Sequence, residues 1–195
     1  MRAAWLILVW ACGGKTTPAP PANVGRGGDP PPKAAIEDCE PHSSGWQPGN
    51  HDRVSFEDPK TTKHGYKDRA GNIVIPAIYD SVYEFSPHGL AGVVAPVKAG
   101  SPFQFIDPSG KTRARAYAFD NGPDYFQEGY ARIVDDAKRV GYIDQKGTIA
   151  IAPKFVSAAP FCRGKAEVEL DDGTFFIDKQ GNKTTAPPPD TGAAP

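Results

Sequence analysis

Apolar positions recur two residues apart in short runs. Ile73 and Ile75 form one such pair, and Ile149 and Ile151 form another. A period of two places each pair on one face of an extended strand. Three more β-prone runs each begin with Ala shortly after a Gly. They are Ala91-Gly92-Val93-Val94, Ala131-Arg132-Ile133-Val134 and Ala166-Glu167-Val168-Glu169-Leu170. The pattern predicts half-buried strands separated by turn residues, and so an all-β domain.

Four segments superpose around one turn signature: Gly65–Asn72, Gln104–Lys111, Gly141–Thr148 and Phe175–Asn182. Each places an aromatic residue two positions before Asp and a Gly three positions after it. The four glycines are spaced 39, 37 and 34 residues apart. Asp suits the first position of a type I turn, where its carboxylate accepts backbone N–H groups, and Gly suits the fourth. Such a turn followed by a left-handed residue closes a short hairpin with a bulge. A second signature follows in three copies: Phe85 before Gly89, Phe126 before Gly129 and Phe161 before Gly164. Each unit therefore reads as two strands, a turn-rich link and a third strand. No unit of this size buries its apolar face alone, so the units must stack or close up. The expected architecture is about three and a half antiparallel hairpin-plus-strand repeats, solenoid- or propeller-like.

The run Gly-Tyr-Ile-Asp-x-x-Gly at Gly141, with Ile-x-Pro-x-Phe and Phe-x-x-Gly downstream, resembles the WG (or KWG) repeat family. The likeness spans about Gly65 to Thr185. It is closest in the third copy, and in the second Arg113-Ala114-Arg115 replaces the apolar strand. His64, Phe103, Val140 and Thr174 stand where the family has Trp. The resemblance implies a β-repeat domain with a binding role and supplies no catalytic residues.

Outside residues 64–185 the chain changes character. Met1-Arg2 leads into the nine-residue apolar run Ala3–Ala11 and then Cys12-Gly13-Gly14. That order fits a secretory signal over residues 1–11, and the run is too short to span a bilayer, which takes about 20 residues. Val9-Trp10-Ala11-Cys12 resembles a bacterial lipobox, which implies acylation at Cys12 and stable anchoring through several acyl chains. Residues 13–38 hold six Pro and five Gly. Such a segment buries too little surface to offset its ordering entropy. Residues 12–38 therefore read as a tether, which would reach roughly 80 Å if fully extended at about 3.1 Å per residue. Residues 39–63 read as an N-terminal cap. Gly45–Phe56, with Trp46, is expected to cover the open edge of the first repeat. Residues 186–195, with four Pro, read as a disordered tail.

Composition narrows the function classes. The formal charge is −1, without the basic excess of a general nucleic-acid binder. The turn aspartates are isolated, whereas calcium needs six to eight converging oxygens, so turn capping explains them better. Gly49-Asn50-His51-Asp52 superficially matches a metallophosphatase fragment, but the partner motifs do not follow. No nucleophile–base set stands out, and neither an enzyme nor a cofactor is expected. With Cys12 lipidated, Cys39 and Cys162 remain, and an even pair in an exported chain suggests a disulfide. It would add roughly 3–5 kcal/mol in the chain-entropy model. Two free thiols are the alternative.

The leading expectation is a non-catalytic protein- or glycan-binding module, anchored in the periplasm or on the cell surface. Tyr83, His88, Tyr117, Tyr125, Arg132 and Arg163 are its candidate exposed contact residues. A structural envelope protein without a specific ligand is the second expectation. An enzyme with a site assembled across repeats is the third.

Overall fold

The structure is a computed structural model that describes residues 52–96 and 101–187. Cys12, the segment 13–38, Cys39, Trp46 and residues 188–195 lie outside the described residues, as does most of the expected cap. Among the described residues every regular element is a strand. In chain order these are β1 (Val54–Asp58), β2 (Lys63–Lys67), β3 (Ile73–Tyr79), β4 (Ser81–Val82), β5 (Ala91–Val94), β6 (Phe103–Ile106), β7 (Thr112–Ala116) and β8 (Ala118–Phe119). They continue with β9 (Gly122–Pro123), β10 (Tyr130–Val134), β11 (Val140–Asp144), β12 (Ile149–Phe155), β13 (Ser157–Ala158), β14 (Lys165–Leu170), β15 (Gly173–Asp178) and β16 (Lys183–Thr184). All pairings are antiparallel, in sheets ordered β1-β2-β3, β12-β11-β10-β7-β6-β5-β4, β13-β14-β15-β16 and β8-β9.

The Asp-x-x-Gly signature closes all four hairpins as its chemistry dictates. The Gly N–H donates to the Asp carbonyl at 2.8–3.0 Å in each copy. The carboxylate accepts from the backbone N–H four residues on, at 2.8 Å in Asp68, 3.1 Å in Asp107, 2.8 Å in Asp144 and 2.9 Å in Asp178. The turn glycine takes positive φ each time, between 81° and 89°, where a side chain would be strained.

Two of the three longer hairpins carry a second irregularity. Across β2 and β3, His64 pairs with Tyr79 but Tyr66 pairs with Ile75, so the three residues Pro76, Ala77 and Ile78 stand opposite Gly65 in a bulge. Across β11 and β12, Val140 pairs with Phe155 and Tyr142 with Ile151, so Ala152, Pro153 and Lys154 stand opposite Gly141 likewise. Each bulge closes onto a glycine. A Cβ on Gly65 would sit 2.5 Å from the Ile75 carbonyl oxygen, and one on Gly141 would sit 2.5 Å from that of Ile151. The second unit has Gln104 at this position and no bulge there, with Gln104 facing Arg115 in regular register. Its strand β7 instead pairs onward with β10 and fuses two units into the seven-stranded sheet.

The cores run across unit boundaries. The first gathers Tyr66, Ile75, Tyr79 and Phe85 with Ala91 and Val93 of β5, and is completed by Ile106 of the next hairpin. The second sets Phe105 and Phe126 against Ala131, Ile133 and Ile143. The third packs Tyr142, Ile151, Phe155 and Phe161 against Ala166, Val168 and Ile177. Each third strand also hydrogen-bonds to the next unit's hairpin, as β5 does to β6 and β14 to β15. Mutual burial of this kind is what makes a repeat array stable.

Two expectations need correction or refinement. Ile75 and Ile151 are buried, but their strand partners Ile73 and Ile149 are 61% and 49% exposed. They lie where each strand leaves its turn, beyond the reach of the core. The described part of the 39–63 span holds β1, which covers the otherwise open edge of β2.

Candidate functional site

Ser55, Gly92, Arg132 and Glu167 occupy one repeat position. Each stands opposite the aromatic of the hairpin that follows it: Tyr66, Phe105, Tyr142 and Phe176 respectively. Side chains at this position decide whether the space over the aromatic is filled, and two neighbouring units decide it in opposite ways.

Arg132 fills it, which corrects the expectation that this residue is an exposed contact. It is 7% exposed. Its Nε and backbone N–H donate to Asp124 Oδ2 at 2.9 and 2.8 Å, and its Nη2 donates to Asp124 Oδ1 at 2.6 Å. Its Nη1 donates to the Ala158 carbonyl at 3.2 Å. The guanidinium lies 4.3 Å from the centroid of the half-buried Tyr117 ring, a cation–π contact. Burial alone would lower the Arg132 pKa, but the hydrogen bonds and charge of Asp124 outweigh it and raise the value. Arg132 and Asp124 are thus a buried structural pair, with each polar group satisfied.

Gly92 leaves the equivalent space open. A cavity of about 170 Å³ is floored by Phe105 and Phe126 and walled by Tyr83, Pro123 and Tyr125, with Gly92 and Asp124 completing it. Tyr83 and Tyr125, 37% and 42% exposed, come together here as two of the predicted contact residues. Burial, then the neighbouring Tyr125, pushes the Tyr83 phenol above its ordinary pKa, so it stays a neutral donor at physiological pH. A Cβ on Gly92 would sit 2.7 Å from Pro123 Cγ, so the opening depends on glycine. The lining is almost wholly apolar and the Asp124 carboxylate is committed to Arg132. The arrangement suits an aliphatic side chain or a proline ring better than a charged ligand.

The other predicted contacts do not join this cavity. His88 is exposed in a separate groove on the turn side, beside Glu128, Lys146 and Lys179. Arg163 is half-buried at a left-handed position, φ 52°. Cys162 is disulfide-bonded, and its partner lies outside the described residues. Among the described residues no group of three or more His, Cys, Asp or Glu is placed to hold a metal ion. Sequence reading missed Phe105, Pro123 and Phe126 as cavity residues. The available signal was the Gly92/Arg132 contrast, visible once the third strands are aligned.

The repeats also share a buried hydroxyl. Tyr66 donates to the Tyr83 carbonyl at 2.6 Å, and Tyr142 to that of Ala159 at 2.7 Å. Their rings pack on Phe85 and Phe161 at 4.8 and 4.7 Å. The second unit has Phe105 on Phe126 at 5.4 Å, with no hydroxyl to place. The two units with the glycine, the bulge and the buried tyrosine are those a comparison with known families singles out. No curated protein matches the chain. Residues 65–94 and 141–173 match the family model described as WG containing repeat, so these two segments are similar to repeats of that family.

Proposed function

We propose that the chain is an exported, lipid-anchored, non-catalytic binding module that engages a polypeptide partner at the Tyr83–Tyr125 cavity. The observation that carries this reading is the cavity over Phe105, which glycine holds open where the next unit inserts a paired arginine. Exposed aromatic walls around a dry floor are how surfaces capture aliphatic and proline side chains. A glycan is a weaker fit, since sugars need polar partners beside the aromatic face, and here the carboxylate is already paired. Acylation of Cys12 would hold the module at a membrane, with residues 13–38 as spacer.

Two variants test the binding site. Gly92→Val fills the cavity, and the double variant Tyr83→Ala/Tyr125→Ala strips its walls. In-cell crosslinking of the wild type should capture one reproducible polypeptide, and both variants should reduce its recovery at least tenfold while remaining folded by circular dichroism. Undiminished recovery from both would move the binding site elsewhere. No reproducible partner from the wild type would favour a purely structural role. Fatty-acid labelling of wild type against Cys12→Ala tests the anchor separately. Retained label and unchanged fractionation in the variant would remove it.

A further inference from the structure

The two ends of the array are unfinished halves of a unit. Strand β1 takes the place of a third strand, yet among the described residues no hairpin or link precedes it. The hairpin β15–β16 opens a fourth unit, yet among the described residues no third strand follows it. We propose that these halves are complementary, and that a second copy of this chain seats its β1 end on the β15–β16 end of the first, head to tail.

Strand register fixes which residues correspond. Ala91, Ala131 and Ala166 stand opposite Ile106, Ile143 and Ile177, as Val54 stands opposite Lys67. Two residues on, Val93, Ile133 and Val168 correspond to Phe56. The six inner third-strand residues are at most 1% exposed, because the core of their own unit covers them. Val54 is 51% exposed and Phe56 is only half-buried. The turn glycines differ in the same way. A Cβ on Gly110 would sit 3.3 Å from Ile75, one on Gly147 3.4 Å from Arg113 and one on Gly181 3.5 Å from Ile151, each in the preceding unit. A Cβ on Gly71 would meet no described atom within 4 Å. A groove of about 500 Å³ passes over this end, lined in part by Phe56, Lys67 and Pro76. A unit that terminates a repeat array carries a polar outer face, and this one does not.

The β15–β16 end shows the matching half. Phe176 pairs with Thr184 as Tyr66 pairs with Ile75 and Tyr142 with Ile151. Those two tyrosines are at most 1% exposed, whereas Phe176 is only half-buried. Three features make a second copy the occupant. The first is continuity with the contacts between units: β1 holds third-strand register, so Val54 and Phe56 can meet Phe176 and Thr184 as Ala91 and Val93 meet Tyr66 and Ile75. The second is volume. The junction has no link phenylalanine such as Phe85 or Phe161, and β1 carries a ring where the other third strands carry Val or Ile. The third is charge. Where the inner hairpins have a buried isoleucine, the β1 end has Lys67, its Nζ 4.4 Å from the Phe56 ring centroid. The residue opposite Phe176 is Glu167. Neither Lys67 nor Glu167 forms an ion pair among the described residues. Lys165, on the same face as Glu167, is engaged by the carbonyls of Thr185 and Ala186. Contact between unlike faces is heterologous, and it continues from copy to copy unless it closes into a ring.

Analytical ultracentrifugation of the full chain decides the matter, with Cys12→Ala throughout so that no acyl chain drives association. The average mass should rise with concentration past that of two copies. Lys67→Glu or Glu167→Lys alone should weaken association about tenfold or more, because each sets like charges against each other at the junction. An equimolar mixture of the two single variants should recover it, since every junction between unlike variants then joins opposite charges. Val54→Asn, at a position open to solvent in the single chain, should also weaken association while leaving the urea midpoint close to that of the parent. A chain that stays monomeric at every concentration would overturn the proposal. So would a mass that stops at two copies and is unaffected by Glu167→Lys, which marks a symmetric pairing of β1 ends, or a mixture that associates no better than its components. None of these residues lines the Tyr83 cavity, so this inference and the proposed function fail independently.

Discussion

Single residues in this array act through the space they leave or fill. Gly141 has bulge backbone within 2.6 Å of the place its Cβ would occupy, from both the Ile151 carbonyl and the Pro153 nitrogen. Backbone held by hydrogen bonds on either side does not retreat as a flexible side chain would. Gly141→Ala should therefore cost on the order of 3 kcal/mol, read as a lower urea midpoint at unchanged slope. The matched control is Gln104→Ala in the unit without the bulge, which should cost under about 1 kcal/mol. An equal cost at both positions would show that the bulge does not impose the glycine. The glycine of Gly-Tyr was legible in the sequence as a recurring letter, but not its reason. That reason lies ten residues downstream, in a strand irregularity that no local propensity encodes. Arg132 was misjudged for the same kind of cause. Its partner Asp124 lies eight residues back in a link segment, and an arginine in a β-prone run reads as a solvent-facing residue until that carboxylate is placed.

At the scale of the element, the hairpin turns were the most legible feature, because everything that specifies them sits within five residues. Asp supplies an acceptor for its own turn, and Gly supplies positive φ. The same local bonds make the turns acid-sensitive. Side-chain and backbone bonds from Asn72 hold the Asp68 carboxyl below its ordinary pKa. Bonds from Asn182 do the same for Asp178. At Asp107 partial burial pushes upward, but bonds from Ser109 and Lys111 outweigh it and the net shift is downward. A carboxyl with a depressed folded value contributes stability that is complete above its unfolded pKa, about 3.9, and is lost as pH falls through the folded value. The urea midpoint should therefore be flat from about pH 7 to 5 and fall below about pH 4. Replacing Asp68, Asp107 and Asp178 together by Asn keeps an acceptor in each turn and removes the titration, so the acid-side fall should shrink. An unchanged slope in that triple variant would place the acid sensitivity elsewhere.

At the scale of the whole molecule, the units are less separate than their sequence boundaries suggest. Succession of similar units was legible from spacing alone, and so was the need for mutual burial. Which residue crosses each boundary was not, since that follows from the pairing of each third strand with the next hairpin. Ile106, Ile143 and Ile177 stand one position after the strand aromatic in their own hairpins, yet each completes the core of the unit before. All three are fully buried. Truncating any of them to Ala should cost about 2–5 kcal/mol, although each belongs by sequence to one unit and by packing to another. Ile143 is the most informative, because it seals the second core while its neighbour Tyr142 serves the third. If the cores are coupled as the packing indicates, Ile143→Ala lowers the stability of the array as a whole. Calorimetry should then show one transition, shifted down, with its calorimetric enthalpy equal to the van't Hoff value. If the units are stable on their own, the second core melts early and the third keeps its wild-type temperature, giving two transitions. That second outcome would reduce the array to independent beads and remove the physical basis for reading the Tyr83 cavity, built from two successive units, as a preformed site.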